Sequence, residues 1–511
     1  MDRGRSRHRS GVLIRLRLIR WLLASIALIW LAAPFWSYQI DDVYISARFA
    51  QEWVDSGAIR WSESEVIEGY SNFSWVVLLA LGILLKVDIG LWTQLGSLLC
   101  GAGILGLFSY LLPTNRGGNL LIVAITAWVP LTYWSAMGME MTFFTLVAVS
   151  AYALCLRDRY VAGCWLAAFA AVTRPEGAAW WILCLSTRRD QLAKGVTSAI
   201  PLAIYHGWRL WYFGTLLPAP VSQKAHLSEF ALFELAAGAL AASAIAFIAW
   251  RSHGTVRRDV PWILAPTALS VLLIVVVGGD WMAFGRLLLA GVVGSVVAVA
   301  ILSDVRQMWP RDLTIGAVLI VTLGSLETPF LQLPQYRIPT ATPWTHYAKG
   351  LDTPLHDQVR WLIEHVPNGS VVQAADVGII SQIPGIEIMD VRGLTCGACN
   401  RSRRSGDWMW LVERYDSHER PQVIQVLQFV PEDWPRTPPA QIDSWLKSIL
   451  PAVEANYSSD EIVYSKHPGW HGSTRFHRAD STLPSAGEID DRWRELADRY
   501  PSQRFFQQQG R

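Results

Sequence analysis

Charge is what this chain has too little of. Asp, Glu, Lys and Arg make up 17% of its 511 residues, against about 25% in an ordinary soluble chain. That shortfall, together with 52% hydrophobic residues and repeated apolar runs near membrane-spanning length, excludes a chain that is globular in water throughout. Cysteine is scarce as well: six in the whole sequence cannot staple a disulfide scaffold of this size. Neither sign of charge is in excess. With 44 basic and 42 acidic residues, no basic surplus is left for nucleic acid, and the arginines serve chiefly to orient the chain in a bilayer.

What is there is unevenly spread. Residues 1–327 carry 25 Lys and Arg against 20 Asp and Glu, and residues 328–511 carry 19 against 22. Before Glu327 apolar runs alternate with short polar connectors; after it no run is long enough to cross a hydrocarbon core of about 30 Å. Three regions result: a basic cytoplasmic N-terminus (1–17), a membrane module (18–327) that includes a first outer loop (37–90), and an extracytoplasmic domain (328–511).

The basic N-terminus, with Arg15, Arg17 and Arg20, precedes an apolar stretch that lacks a small-x-small cleavage pattern, so it reads as an uncleaved first span with its basic end in the cytoplasm. The run Phe73–Val87 is short for a span and is read as a helix lying at the outer surface. About eleven spans follow from length and charge: 18–36, 91–112, 120–135, 141–156, 160–173, 175–187, 195–213, 230–250, 260–278, 286–303 and 312–327. Arg116, Arg157, Arg159, Arg188, Arg189, Lys194, Arg251, Arg257, Arg258, Arg306 and Arg311 then face the cytoplasm. Asp41, Asp42, Glu140, Lys224 and Asp280 face outward. The interruption Arg174-Pro175-Glu176-Gly177 is a broken helix of the kind that can line a cavity.

The first outer loop is the acidic part of the membrane module, with seven carboxylates between Tyr38 and Tyr70. The adjacent pair Asp41-Asp42 sits just past the first span. Partial desolvation and a neighbouring negative charge both raise a carboxyl pKa there, which suits a general base acting on a hydroxyl; the plain alternative is a pair of solvated loop charges. Adjacent aspartates can also bind a divalent ion, but no cluster with ligand spacing accompanies them, so neither metal nor cofactor is expected.

The flanking residues resemble a family. Asp41, Asp42, Tyr44, Arg48, Gly57, then Glu68-Gly69-Tyr70-Ser71-Asn72 and Trp75, are similar to the opening of the terminal β-1,2-arabinofuranosyltransferases. These belong to the GT-C superfamily of membrane glycosyltransferases that use polyprenyl-phosphate sugars. Four further segments follow in order: Met137-Gly138-Met139-Glu140-Met141 (where the family has Thr in place of Met141), Thr173-Arg174-Pro175-Glu176-Gly177, Tyr212–Pro218 with Lys224, and Gly278-Gly279-Asp280-Trp281-Met282 with Arg286. Asp376-Val377-Gly378 and Asp390–Leu394 continue the match into the outer domain.

The resemblance implies a polytopic α-helical GT-C fold with an outer α/β domain, placed in the cytoplasmic membrane. It implies transfer of a pentofuranose, arabinofuranose in this family, to a hydroxyl of an external glycan, glycolipid or glycoprotein. Asp41 or Asp42 is the base. Arg286, Lys224, Arg174, Arg48 and His226 are the cations available to the donor phosphate, whose developing charge needs electrostatic stabilisation; for Arg174 a pairing with Glu176 competes. Glu68, Tyr70, Glu140 and Asp280 can hydrogen-bond sugar, and Trp75 and Trp281 can stack on it, with loop folding and packing as the plain alternatives. A hexose or aminosugar donor is the nearest alternative. A lipid-linked-sugar transporter is disfavoured because no internal repeat is found.

In the outer domain, 370–374 and 422–426 read as strands and Leu355–Val366 as a helix stopped by Pro367-Asn368-Gly369. Cys396 and Cys399 are spaced for a local disulfide, while Cys100, Cys155, Cys164 and Cys184 read as small apolar residues of the spans. Trp408, Trp410, Trp434, Trp445 and Trp470 suit either the core or a glycan-binding face.

Overall fold

The computed structural model describes residues 2–36, 39–63, 66–223, 229–251, 259–277, 282, 285–302, 356, 358–374, 376–415, 421–428, 455, 458–459, 463–464, 472–477 and 482–501. The expected span 312–327 and the boundary at 327 lie outside them.

Fifteen helices are described up to residue 302: α1 (Asp2–Ala32), α2 (Asp41–Ser56), α3 (Phe73–Leu84), α4 (Ile89–Leu111), α5 (Arg116–Thr126), α6 (Val129–Ala136), α7 (Met141–Leu156), α8 (Tyr160–Thr173), α9 (Gly177–Ser186), α10 (Leu192–Gly195), α11 (Ala199–Phe213), α12 (Ala219–Gln223), α13 (Glu229–Arg251), α14 (Val260–Val277) and α15 (Arg286–Leu302). Local chemistry sets their limits. The Asp88 carboxylate accepts from the Leu91 N–H at 2.7 Å and starts α4; Asn115 does the same for α5 through Gly118. Gly57 and Gly214, both at positive φ, end α2 and α11. Pro175 forces Arg174 into extended backbone, so α8 stops and α9 restarts. A Cβ at Gly177 would lie 2.2 Å from the Ala170 carbonyl, so only glycine permits that return. Arg20 donates to the carbonyls of Ser109, Leu112 and Pro113, tying α1 to the end of α4.

One expected span is broken. Residues 120–135 divide into α5 and α6, bent by 51° where Pro130 begins the second helix. Among the described residues three helices, Gly11–Phe35, Ile89–Leu111 and Val260–Val277, are long and apolar enough to cross a membrane, or four with the bent pair. The 16 residues of α7 reach only about 24 Å. The twelve residues of α3 are shorter again, consistent with a helix that does not span.

The C-terminal region, called the outer domain after its expected location, holds a six-stranded mixed sheet: β1 (Ser370–Ala374), β2 (Ile386–Asp390), β3 (Val423–Gln428), β4 (Ser458–Ser459), β5 (Val463–Tyr464) and β6 (Gly472–His477). Its order is β2-β1-β3-β6-β4, with β5 also on β6; β1 runs parallel to β2 and β3, and β6 antiparallel to β3. Helices lie at 358–365, Gly397–Ser405, Met409–Tyr415 and Ala486–Arg499. Cys396 and Cys399 form a disulfide at the start of Gly397–Ser405. Cys155, Cys164 and Cys184 are buried in the bundle, and Trp408 is buried in the outer domain. Trp434, Trp445 and Trp470 lie outside the described residues.

Two main cores result. One fills the helical bundle around Leu28, Ile104, Trp134, Tyr152 and Val297. The other joins Phe49, Trp61 and Val76 of the first outer loop and α3 to Val359, Leu362, Ile380 and Trp493 of the outer domain. Hydropathy separates loop from outer domain, yet their side chains share one interior.

Candidate active site

Helix α2 carries the acidic pair, and its periodicity separates the two aspartates. At about 100° per residue, Asp41, Arg48 and Glu52 fall on one face and Asp42 and Ser46 on another.

The first face meets the outer domain. Asp41 accepts hydrogen bonds from the backbone N–H groups of Gly378 (2.8 Å) and Ile379 (2.7 Å). A Cβ at Gly378 would stand 2.0 Å from the Asp41 carbonyl, so the glycine of Asp376-Val377-Gly378 is needed where backbone meets backbone. Burial, then the charge of Asp376, pushes the Asp41 carboxyl up to about 7, against the pull of those two peptide donors. The Asp390 motif does parallel work. Its buried carboxylate accepts from the N–H groups of Arg392 and Thr395 at 2.8 and 2.9 Å, and burial raises it to about 6. The turn so shaped brings the Leu394 carbonyl to within 2.7 Å of where a Cβ on Gly69 would be.

The second face opens on a buried polar relay. Ser46 and Asn72 hydrogen-bond each other, and Asn72 Nδ2 donates to Glu140 at 2.8 Å. Glu140 pairs with Arg174 Nη1, and Arg174 grips Glu176 through Nη2 (2.7 Å) and Nε (3.2 Å). Glu140 and Arg174 are 1% and 5% exposed, so each charge depends on its partner. Glu176 interacts electrostatically with Arg174 and with Arg286. Arg286, also buried, thereby joins the cluster from the start of α15. Segments distant in sequence, carrying Asn72, Glu140, Arg174 and Arg286, meet here.

Glu68 belongs to a different pair. Arg209 of α11 donates to Glu68 Oε2 from Nη2 (2.6 Å) and Nε (2.9 Å), and both are buried; burial drives the Glu68 carboxyl up to about 7 against that guanidinium. Arg209 is absent from the sequence-derived candidates. Its signal was a lone basic residue inside the apolar run 195–213, where an ionisable group needs a partner. Tyr70 is buried between Phe49, Phe73 and Phe213, and its hydroxyl has no hydrogen-bond partner among the described residues. Trp75 packs on Phe143 and on the helix surface at Gly96, inside the fold rather than at an open stacking surface. Arg48 pairs with Glu52 at 2.8 Å on the outer-domain face, away from the side of α2 that meets Asn72. Lys224, His226, Asp280 and Trp281 lie outside the described residues. Among the described residues no group of three or more His, Cys, Asp or Glu is placed to hold a metal ion.

No protein-family model matches the chain, and no curated protein matches it. Among solved structures, ArnT from Cupriavidus metallidurans, bound to undecaprenyl phosphate, aligns with 91% of this chain and 97% of its own, at a TM-score of 0.51 and 12% identity. This is an ArnT-like fold. At that identity the likeness to ArnT is one of fold alone.

Proposed function

We propose that the chain is a membrane glycosyltransferase that takes a sugar from a polyprenyl-phosphate carrier and transfers it, with inversion, to a hydroxyl of an external glycan, glycolipid or glycoprotein. The observation that carries this reading is the convergence of Asn72, Glu140, Arg174 and Arg286 beside the Asp42 face of α2, in a fold like that of ArnT, whose structure holds undecaprenyl phosphate. The motif resemblance points to arabinofuranose as the sugar. In this reading the protein is multi-pass in the cytoplasmic membrane, its N-terminus inside and its outer domain outside.

The roles follow from the partners. Both oxygens of Asp41 receive peptide N–H groups, so its carboxyl is occupied by the contact with the outer domain; Asp41 holds α2 to that domain. Asp42 is the base. The acceptor hydroxyl gives Asp42 its proton, its oxygen bonds to the anomeric carbon, and the bond from that carbon to the phosphate oxygen breaks, with the electron pair leaving on polyprenyl phosphate. Arg286, with Lys224, meets the charge that develops on the leaving group. Arg174, neutralised by two carboxylates, positions Glu140 and Glu176. Glu68, paired with Arg209, and Tyr70 are assigned to the donor sugar by the motif resemblance. No metal is required in this scheme.

The test is in-vitro transfer from polyprenyl-phosphate arabinofuranose, with a polyprenyl-phosphate hexose as the competing donor, by wild-type, Asp41→Asn and Asp42→Asn proteins. Full activity in both variants removes the proposed chemistry. Transfer from the hexose alone replaces the sugar and keeps the reaction.

A further inference from the structure

A cavity of about 570 Å³, within the size range of small-molecule sites, opens between the outer-domain face of α2 and the edge of the sheet. Arg48, Glu52 and Trp61 line it from the first outer loop; Glu387, Glu495 and Arg499 line it from the outer domain. It plays no part in the relay around Arg174. The question is what such a lining can hold.

Its charges are already paired. Arg48 meets Glu52 at 2.8 Å and Arg499 meets Glu495 at 2.6 Å, and the further carboxylates Glu63 and Glu387 on the wall leave it net acidic. A phosphate or other anion is repelled. An added peptide strand fits no better: β2 is the sheet's terminal strand, but its Ile388 carbonyl already accepts from Trp61 Nε1 at 3.0 Å. What suits paired carboxylates and guanidinium groups, a serine hydroxyl (Ser62 donates to Glu387 at 3.4 Å) and an aromatic floor is a neutral ligand rich in hydroxyls. Each hydroxyl both donates and accepts, so it can use both kinds of partner at once.

Position gives the ligand its length. Arg48 and Glu52 lie seven and eleven residues along α2 from Asp41 on the same helical face, about 10–16 Å at 1.5 Å per residue. That is farther from the acidic pair than one sugar ring reaches. We propose that this cavity binds a neutral oligosaccharide segment, the inner part of a glycan whose end is presented at Asp42. Its identity as an acceptor subsite rests on the transferase reading, whereas binding itself does not.

The experiment uses full-length protein in lipid nanodiscs, without donor, titrated calorimetrically with arabinofuranose oligosaccharides of one to six units and with manno-oligosaccharides of the same lengths. One of the two series is expected to bind more tightly as it lengthens. Glu387→Gln, at an exposed strand position, is expected to weaken the longer ligands about tenfold, the effect of losing one charge-assisted hydrogen bond. Glu387→Trp, which fills the cavity, is expected to abolish the gain with length. No length-dependent binding in either series, or binding unchanged in Glu387→Trp, overturns the proposal. Sugar transfer forms no part of this readout, so a failure here leaves the transferase reading intact, and a failed transfer assay leaves this site intact.

Discussion

Asp41 and Asp42 are adjacent in the chain and belong to different parts of the molecule. Asp41 is held by the peptide N–H groups of Gly378 and Ile379, more than three hundred residues away. Asp42 shares a helical face with Ser46, which leads through Asn72 to Glu140 and Arg174. One step along a helix thus separates an interdomain clamp from a candidate reaction centre. The same residue type serves both, and only its partners tell them apart.

The sharpest way to break this comparison is kinetic. Asp42→Asn is expected to lower kcat by about 10²–10⁴, the range for a lost general base, whereas Asp41→Asn lowers it far less and instead reduces the thermal midpoint. The reverse pattern would make Asp41 the base.

Arg174→Met comes next. Removing the shared partner of Glu140 and Glu176 leaves buried Glu140 without its cation and Glu176 with Arg286 alone, and is expected to cost about 3–5 kcal/mol, read as a lowered unfolding midpoint in detergent. A change within 1 °C would show that water or lipid already solvates the relay. For the clamp side, Gly378→Ala is expected to cost about 1–3 kcal/mol by overpacking against the Asp41 backbone; Gly378 has a φ of −63°, so the cost is steric and carries no φ strain.

The last test is with pH. The folded-state value of Asp41, about 7, lies above its ordinary 3.8, so the folded chain holds that proton more tightly. Its contribution to stability is fully present below about pH 4 and is lost as pH rises through 7. Wild-type midpoints measured relative to Asp41→Asn are expected to fall across that window. A constant difference would mean that the two peptide donors keep the carboxylate ionised throughout.

Much of the scaffold was legible because its signals are local. The limits of α7 and α8, Met141–Leu156 and Tyr160–Thr173, coincide with the apolar runs, since charged connectors and a proline end them. Strand Ser370–Ala374 and the helix before Pro367 were readable for the same reason. The motif glycines were visible as motifs, but their purpose was not: Gly69 and Gly378 are needed for approaches to Leu394 and Asp41 across the interdomain contact. The bend between α5 and α6 was missed because hydropathy runs unbroken through it. Arg209 was passed over because its partner Glu68 lies 141 positions away.

The sequence by itself determined that apolar helices form the bulk of the molecule, that seven of the 20 acidic residues before position 328 crowd the stretch between Tyr38 and Tyr70, and that a chain with 17% charge keeps few ionisable groups within its helical bundle. Only the tertiary structure decided which of those groups meet. Burial makes an unpaired charge costly, so every carboxylate carried inward had to find its cation or peptide donor, and those partners come from whichever segments the fold brings alongside.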